Sequence, residues 1–117
     1  MLSHNEKYKL LNDDCLNALK EIPSASIDSI VTDPPYAEVD RKYGRLSENE
    51  WHELMDAAMA EFRRILKPSG SAMVLLQPNS EHCGRMRLWL WEFIVKWGRE
   101  WNLIQDAYSM NVSTLPH

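Results

Sequence analysis

The 117-residue chain has only two cysteines, Cys15 and Cys83, and four glycines. Two thiols are too few for a disulfide framework, so free cysteines in a reducing compartment are expected. His82 beside Cys83, with Cys15 distant in sequence, matches no metal spacing, and no metal site is expected. Long apolar runs are missing: the longest is the five residues from Ala72 to Leu76. A membrane-spanning helix needs about 20. The opening residues Met1–Lys7 are polar, whereas a secretory leader carries an apolar stretch of about 7–15 residues. The chain is therefore expected in the cytoplasm. Positive charge is also scarce, with 13 Lys and Arg against 17 Asp and Glu, for a net charge of −4. That excludes holding nucleic acid by overall charge and leaves room for a local basic patch.

What is present is the composition of a folded domain, 44% hydrophobic and 26% charged. The length suits one α/β domain spanning residues 1–117. Strand-like and helix-like segments alternate. Tyr8 to Asn12 suits a short strand, and a helix begins at Asp13 or Asp14 and runs to Ile22. Pro23 to Ser26 is a turn. Ile27 to Thr32 is rich in β-branched residues and predicts a strand. Ser47 and Glu50 form a capping box. Behind it Trp51, Leu54, Met55, Ala58, Met59, Phe62, Ile65 and Leu66 make one helical stripe, and Lys67-Pro68-Ser69-Gly70 ends it. Ala72 to Gln77 reads as a buried strand. A further helix is expected from about Glu81 or Gly84 to Trp101, then a strand from Leu103 to Met110. The β-α-β-α-β-α-β order implies a mostly parallel sheet with helices on its faces and ligands beyond the carboxyl ends of the strands.

Asp33-Pro34-Pro35-Tyr36 lies at such an end. At about 5% proline, a Pro-Pro pair arises at about one site in 400, and fewer still are flanked by a carboxylate and an aromatic ring after a strand. The plain alternative is a rigid surface turn. The chemical one follows from the functional groups. Asp33 and the Pro34 carbonyl are both acceptors, and Pro34 has no N–H to compete. Tyr36 offers a flat ring. Together they suit a planar group bearing an NH₂.

Three segments carry a family resemblance. They are Leu11-Asn12-Asp13-Asp14-Cys15-Leu16, Ile27 through Tyr36, and Arg64-Ile65-Leu66-Lys67-Pro68-Ser69-Gly70. The chain resembles the amino-methylating DNA methyltransferases, which move a methyl group from S-adenosylmethionine to N6 of adenine or N4 of cytosine. The family usually has two glycines after the Leu-Lys-Pro; here Ser69 precedes Gly70. The resemblance implies a partial Rossmann-like sheet and assigns roles. Asp33 and the Pro34 carbonyl would accept the two amine hydrogens and free the nitrogen lone pair for direct attack on the sulfonium methyl. Pro35 completes the rigid tetrad, and Tyr36 would stack on an extruded base. Asp14, with Asp33, would lie at the cofactor. An Asp-initial tetrad is commoner among the adenine enzymes, so adenine is favoured, with the cytosine-N4 reaction as the alternative. A non-catalytic remnant or interaction module is a second alternative. Methylation of a protein glutamine amide or of RNA is a third, disfavoured because it also needs an upstream glycine-rich loop.

That loop is missing, because no two of Gly44, Gly70, Gly84 and Gly98 lie within three residues of each other. The resemblance therefore implies the permuted order, tetrad first and cofactor loop last. The 117 residues would then be an amino-terminal half, with cofactor loop and target-recognition region beyond His117 and little activity alone. Arg41, Lys42 and Arg45 are candidates for DNA phosphates or simply a solvated loop, and Arg85 and Arg87 carry the same ambiguity with solvent favoured. Trp89, Trp91, Trp97 and Trp101 crowd one segment. Trp91 and Val95 fall off the stripe formed by Met86, Trp89, Leu90, Phe93, Trp97 and Trp101. A homodimer through that second face is expected.

Overall fold

The computed structural model describes residues 2–4 and 7–103. Its elements are β1 (Leu2–His4), β2 (Lys9–Leu11), α1 (Cys15–Lys20), β3 (Ile27–Thr32), α2 (Glu48–Ile65), β4 (Leu66–Val74) and α3 (Trp89–Glu100). Strands β3 and β4 pair in parallel, joined across α2 as a β-α-β unit, while β1 and β2 form a separate antiparallel pair. The fold is thus α/β with a parallel pair at its centre. The first expected strand is present as β2, but it pairs with β1, a strand the polar start of the chain did not suggest. The strand expected over 103–110 falls almost wholly outside the described residues.

Each main element follows from local chemistry. Asp14 caps α1 by accepting from the Leu16 N–H at 3.2 Å. The Ser47–Glu50 capping box that opens α2 is present in both directions, at 3.1 and 3.0 Å. The stripe of α2 buries Trp51, Met55, Ala58, Met59, Phe62 and Ile65. With Trp89, Leu90 and Phe93 of α3 these form the core, and Ile30, Val74 and Leu76 pack on it from the sheet. Arg64 ties α1 to α2: its guanidinium donates to the Leu19 and Ile22 carbonyls at 2.8 Å each, satisfying acceptors at the end of α1.

Helix α1 ends at Lys20 rather than Ile22 and β4 at Val74 rather than Gln77, and two starting points differ by more. Strand β4 begins at Leu66, not Ala72, because Lys67 to Gly70 form an irregularity in the ladder between the Ile27–Leu66 and Ser29–Ser71 pairs. Pro68 is tolerated there because a bulge spares it a ladder donor. At Gly70 an added Cβ would lie 2.9 Å from the Leu66 side chain and 3.0 Å from the carbonyl oxygens of Asp28 and Lys67. Two of those three are backbone atoms. Gly70→Ala is therefore expected to lower stability by about 1–3 kcal/mol, read by urea unfolding. Helix α3 begins at Trp89, not Glu81 or Gly84. A Ser80–Met86 bridge and the positive φ of Gly84 (85°) hold the preceding segment in a turn.

On the sheet face away from the core, Val31 and Met73 are 71% and 62% exposed. Trp91 and Val95 of α3 are also exposed, as their place off the stripe implies, along with Leu88. No described helix is long and apolar enough to cross a membrane. No group of metal-ligating side chains occurs among the described residues.

Candidate active site

The tetrad begins where the ladder ends. The last pairing bond runs from the Leu75 N–H to the Thr32 carbonyl at 2.9 Å, and Asp33 follows. Prolines then prevent further pairing, so the chain leaves the sheet as an exposed carboxylate on a stiff backbone. The Tyr36 hydroxyl donates to Asp33 Oδ1 at 2.7 Å, which orients the carboxylate from within the loop. The Tyr36 ring stacks on Trp89, with centroids 6.3 Å apart and planes inclined 26°.

The backbone is held from beneath. Trp51 Nε1–H, from the first turn of α2, donates to the Pro35 carbonyl at 2.6 Å. Trp51 is fully buried and meets Trp89 and Phe93 edge-on at 4.5 and 5.4 Å. Asn79, just past β4, donates through Nδ2 to the Ala37 carbonyl at 2.7 Å. Its Oδ1 accepts from Trp89 Nε1–H at 3.1 Å and from Arg87 at 3.3 Å. Among the described residues no donor reaches the Pro34 carbonyl. The tetrad thus holds a carboxylate bonded by Tyr36 and a Pro34 carbonyl without a donor among the described residues.

Burial, the bond to Asp33 and the Asp33 charge push the Tyr36 phenol up to about 12, against a smaller opposing pull from Arg41. The phenol is then protonated across the neutral range and remains a donor. Its proton is held more tightly in the folded chain than in the unfolded one, where it leaves near 10. Between about pH 10 and 12 the unfolded state binds fewer protons, so stability falls as pH rises through that window and is intact below it. Tyr36→Phe is expected to remove this part of the alkaline decline, measured as unfolding midpoint against pH.

The other expected site residues separate into groups. Asp14 spends one carboxylate oxygen on the α1 cap, and no hydrogen bond or ion pair joins it to the tetrad. Glu38 takes a left-handed φ of 61°, and its N–H closes the following loop onto the Leu46 carbonyl at 2.7 Å. Within that loop Arg45 is engaged by Glu38 at 3.0 Å and Asp40 at 3.6 Å. Arg41 and Lys42 are exposed beside it. Arg87 is not in solvent as expected: it is half-buried, bonded to Asn79 and to the Ser80 carbonyl at 2.7 Å. Trp51 and Trp89 were legible only as core positions. Asn79 carried no signal beyond that of a strand-ending turn residue.

As a test of fit for a cofactor, the described residues offer the Asp14 carboxylate but no close glycine pair where backbone could approach a nucleoside. Among the described residues there is thus no glycine-lined cradle for a cofactor.

The β-α-β unit carries Asp33 and Pro34 just past the end of β3. The sequence profile of the N6/N4 DNA methylases matches residues 27–116, and the chain belongs to that family. Type II methyltransferase M.BamHI of Bacillus amyloliquefaciens is 35% identical over 76 residues, covering 61% of this chain and 18% of that protein. DNA adenine methyltransferase YhdJ of Escherichia coli strain K12 is 34% identical over 76 residues, covering 61% of this chain and 25% of that protein. A solved PvuII DNA methyltransferase (cytosine-N4-specific) shares the fold, with a TM-score of 0.63 and 23% identity over 75% of this chain and 32% of that one. The chain spans only about a fifth to a quarter of the curated relatives it matches.

Proposed function

We propose that this chain supplies the amine-binding part of an S-adenosylmethionine-dependent DNA methyltransferase, with adenine N6 as the acceptor. The observation that carries it is the paired acceptor at the end of β3. Asp33 is oriented by Tyr36 at 2.7 Å, and the neighbouring Pro34 carbonyl has no donor of its own among the described residues. An exocyclic amine on a purine is a poor nucleophile because its lone pair is delocalised into the ring. Gripping both N–H bonds pyramidalises the nitrogen and directs the lone pair outward. S-adenosylmethionine, when bound, supplies an electrophilic methyl group. This chain's residues would hold the amine; as the N–CH₃ bond forms and the S–CH₃ bond breaks, the sulfur would leave as a neutral thioether, the Asp33 carboxylate would stabilise the positive charge on the nitrogen, and one N–H proton would then pass to water to leave the neutral methylated amine. The Tyr36 ring provides the stacking surface for a base taken out of the duplex. Arg41 and Lys42, exposed on the closed loop after the tetrad, suit phosphates beside that base, while Arg45 is engaged in ion pairs.

Adenine is supported by the aspartate that opens the tetrad and by the likeness to a relative named as a DNA adenine methyltransferase. The test supplies the chain in trans with the cofactor-loop half of a family member, labelled S-adenosylmethionine and unmethylated DNA. N6-methyladenine in the digested product supports the proposal. N4-methylcytosine keeps the reaction and overturns the base. No labelled nucleoside, although the two halves associate, overturns both. A second copy of this chain on the exposed Leu88, Trp91 and Val95 of α3 belongs to the same proposal. A light-scattering mass of two chains supports that contact, and a mass of one removes it.

A further inference from the structure

The carbonyls along the tetrad are not equivalent. Pro35 and Ala37, two residues apart, are each taken from the core side, by Trp51 Nε1–H at 2.6 Å and Asn79 Nδ2–H at 2.7 Å. The donors come from separate elements, α2 and the segment after β4, so the backbone is pinned at two points. Pro34 lies just ahead of the first pin, and its carbonyl is left open. The Asn79 amide cannot turn over freely. Its Oδ1 already receives Trp89 Nε1–H and Arg87, which leaves only Nδ2 to face Ala37. The same Trp89 carries the Tyr36 ring on its face. Asn79 therefore supports the tetrad twice, through the Ala37 backbone and through the ring beneath Tyr36.

We propose that Asn79 is a positioning residue for the amine site: with Trp51 as its counterpart it fixes the backbone so that the Pro34 carbonyl and the Asp33 carboxylate converge on one nitrogen. This rests on the amine-binding reading above. Asn79 touches neither base nor cofactor. Its amide is the hub between β4, α3 and the loop that binds. Such a hub is expected to act on precision more than on stability, because a carbonyl rotated by a fraction of an ångström still packs but no longer meets the amine.

The test is Asn79→Asp in the 117-residue chain. It keeps the acceptor for Trp89 and Arg87 and replaces the donor to Ala37 by an oxygen that repels its carbonyl. Tyr36 reports the outcome, because its hydroxyl bonds Asp33 and its ring stacks on Trp89, the indole that Asn79 holds. Titration of the tyrosine ring carbons by NMR, with Tyr36→Phe to assign the signal, reads it directly. The expected result is a midpoint that drops below about 12 by the part the Asp33 bond contributes while the larger part due to burial stays, in a chain that still unfolds cooperatively; because the added carboxylate acts in the opposite direction, Asn79→Ala, which adds no charge, is titrated beside it. Binding of 9-ethyladenine is expected to weaken at least about fivefold, as for the loss of one hydrogen bond's worth of alignment. An unchanged Tyr36 midpoint in the folded variant overturns the positioning role. A shifted midpoint together with no adenine binding by the parent chain supports the clamp and overturns the amine-binding reading, so the two failures are told apart. Should Asn79→Asp not fold, Asn79→Ala removes the donor to Ala37 and the acceptor for Trp89 and Arg87 together without adding charge, and its Tyr36 midpoint is read in the same way.

Discussion

Asp33→Ala is expected to lower methyl transfer by about 100-fold or more when the chain is completed in trans, with the unfolding midpoint nearly unchanged. The size follows from removing a preorganised charge opposite the nitrogen as it becomes positive. The small structural cost follows from exposure: Asp33 is a surface carboxylate whose one side-chain hydrogen bond among the described residues is from Tyr36. Asp33→Asn is a sharper probe. It retains one acceptor oxygen but loses the charge and puts an NH₂ donor in place of the other oxygen, so it should fall well below the parent, toward the alanine variant. Initial rates across a range of DNA concentrations separate the effects. The account places the loss in kcat, because the charge matters as the methyl moves. A loss confined to KM would assign Asp33 to binding alone.

Trp51→Ala is expected to be the most damaging single change to the fold, at about 3–5 kcal/mol. Trp51 is fully buried, meets Trp89 and Phe93 edge-on, and satisfies the Pro35 carbonyl. Domains of this kind have a margin of about 5–15 kcal/mol, so the variant should be largely unfolded or strongly sensitised to urea. Trp51→Phe separates packing from hydrogen bonding. It keeps an aromatic ring and leaves the Pro35 carbonyl without its donor, for an expected cost of about 1–3 kcal/mol. Equal losses for both variants would mean that the indole N–H contributes almost everything, contrary to the geometry.

The parts of this architecture that could be read from the sequence were those whose signal is local. Ile27 to Thr32 is a run of β-branched residues and forms β3 with those bounds. Ser47 and Glu50 announce a helix start through side chains that bond their own backbone, and α2 begins at the next residue. The DNA methylase family was legible because its marks, Ile27 through Tyr36 and Leu66-Lys67-Pro68, are each a short unbroken run of residues. Where the reading failed, the deciding contact was remote. Helix α2 does end before Lys67, as those residues suggested, but β4 starts at Leu66 rather than Ala72, with Lys67 to Gly70 as the irregular stretch between its pairings to β3. Met86 fell on the helical period of the Trp-rich stretch, but its bridge to Ser80 keeps it outside α3. Arg87 looked like a solvent arginine, and its partners are Asn79 and Ser80. Asn79 was invisible for the same reason: three of its contacts, to Ala37, Arg87 and Trp89, exist only once β4 and α3 have come together beneath the tetrad.

The motif residues also acquire physical roles that sequence resemblance alone does not explain. Arg64 closes the carbonyl end of α1, which places α1 against α2. Gly70 permits the close approach of β4 to the Asp28 carbonyl. Both set the frame from which β3 projects the tetrad, although neither is near an acceptor atom of the site.

The account stands on Asp33 and Pro34 sharing one nitrogen, and a structure of the chain with 9-ethyladenine bound tests this directly. The expected result places the exocyclic nitrogen within about 3.2 Å of both an Asp33 carboxylate oxygen and the Pro34 carbonyl oxygen, with the ring against Tyr36. An adenine bound elsewhere on the chain, or one at the tetrad with its amine turned to solvent, would contradict it.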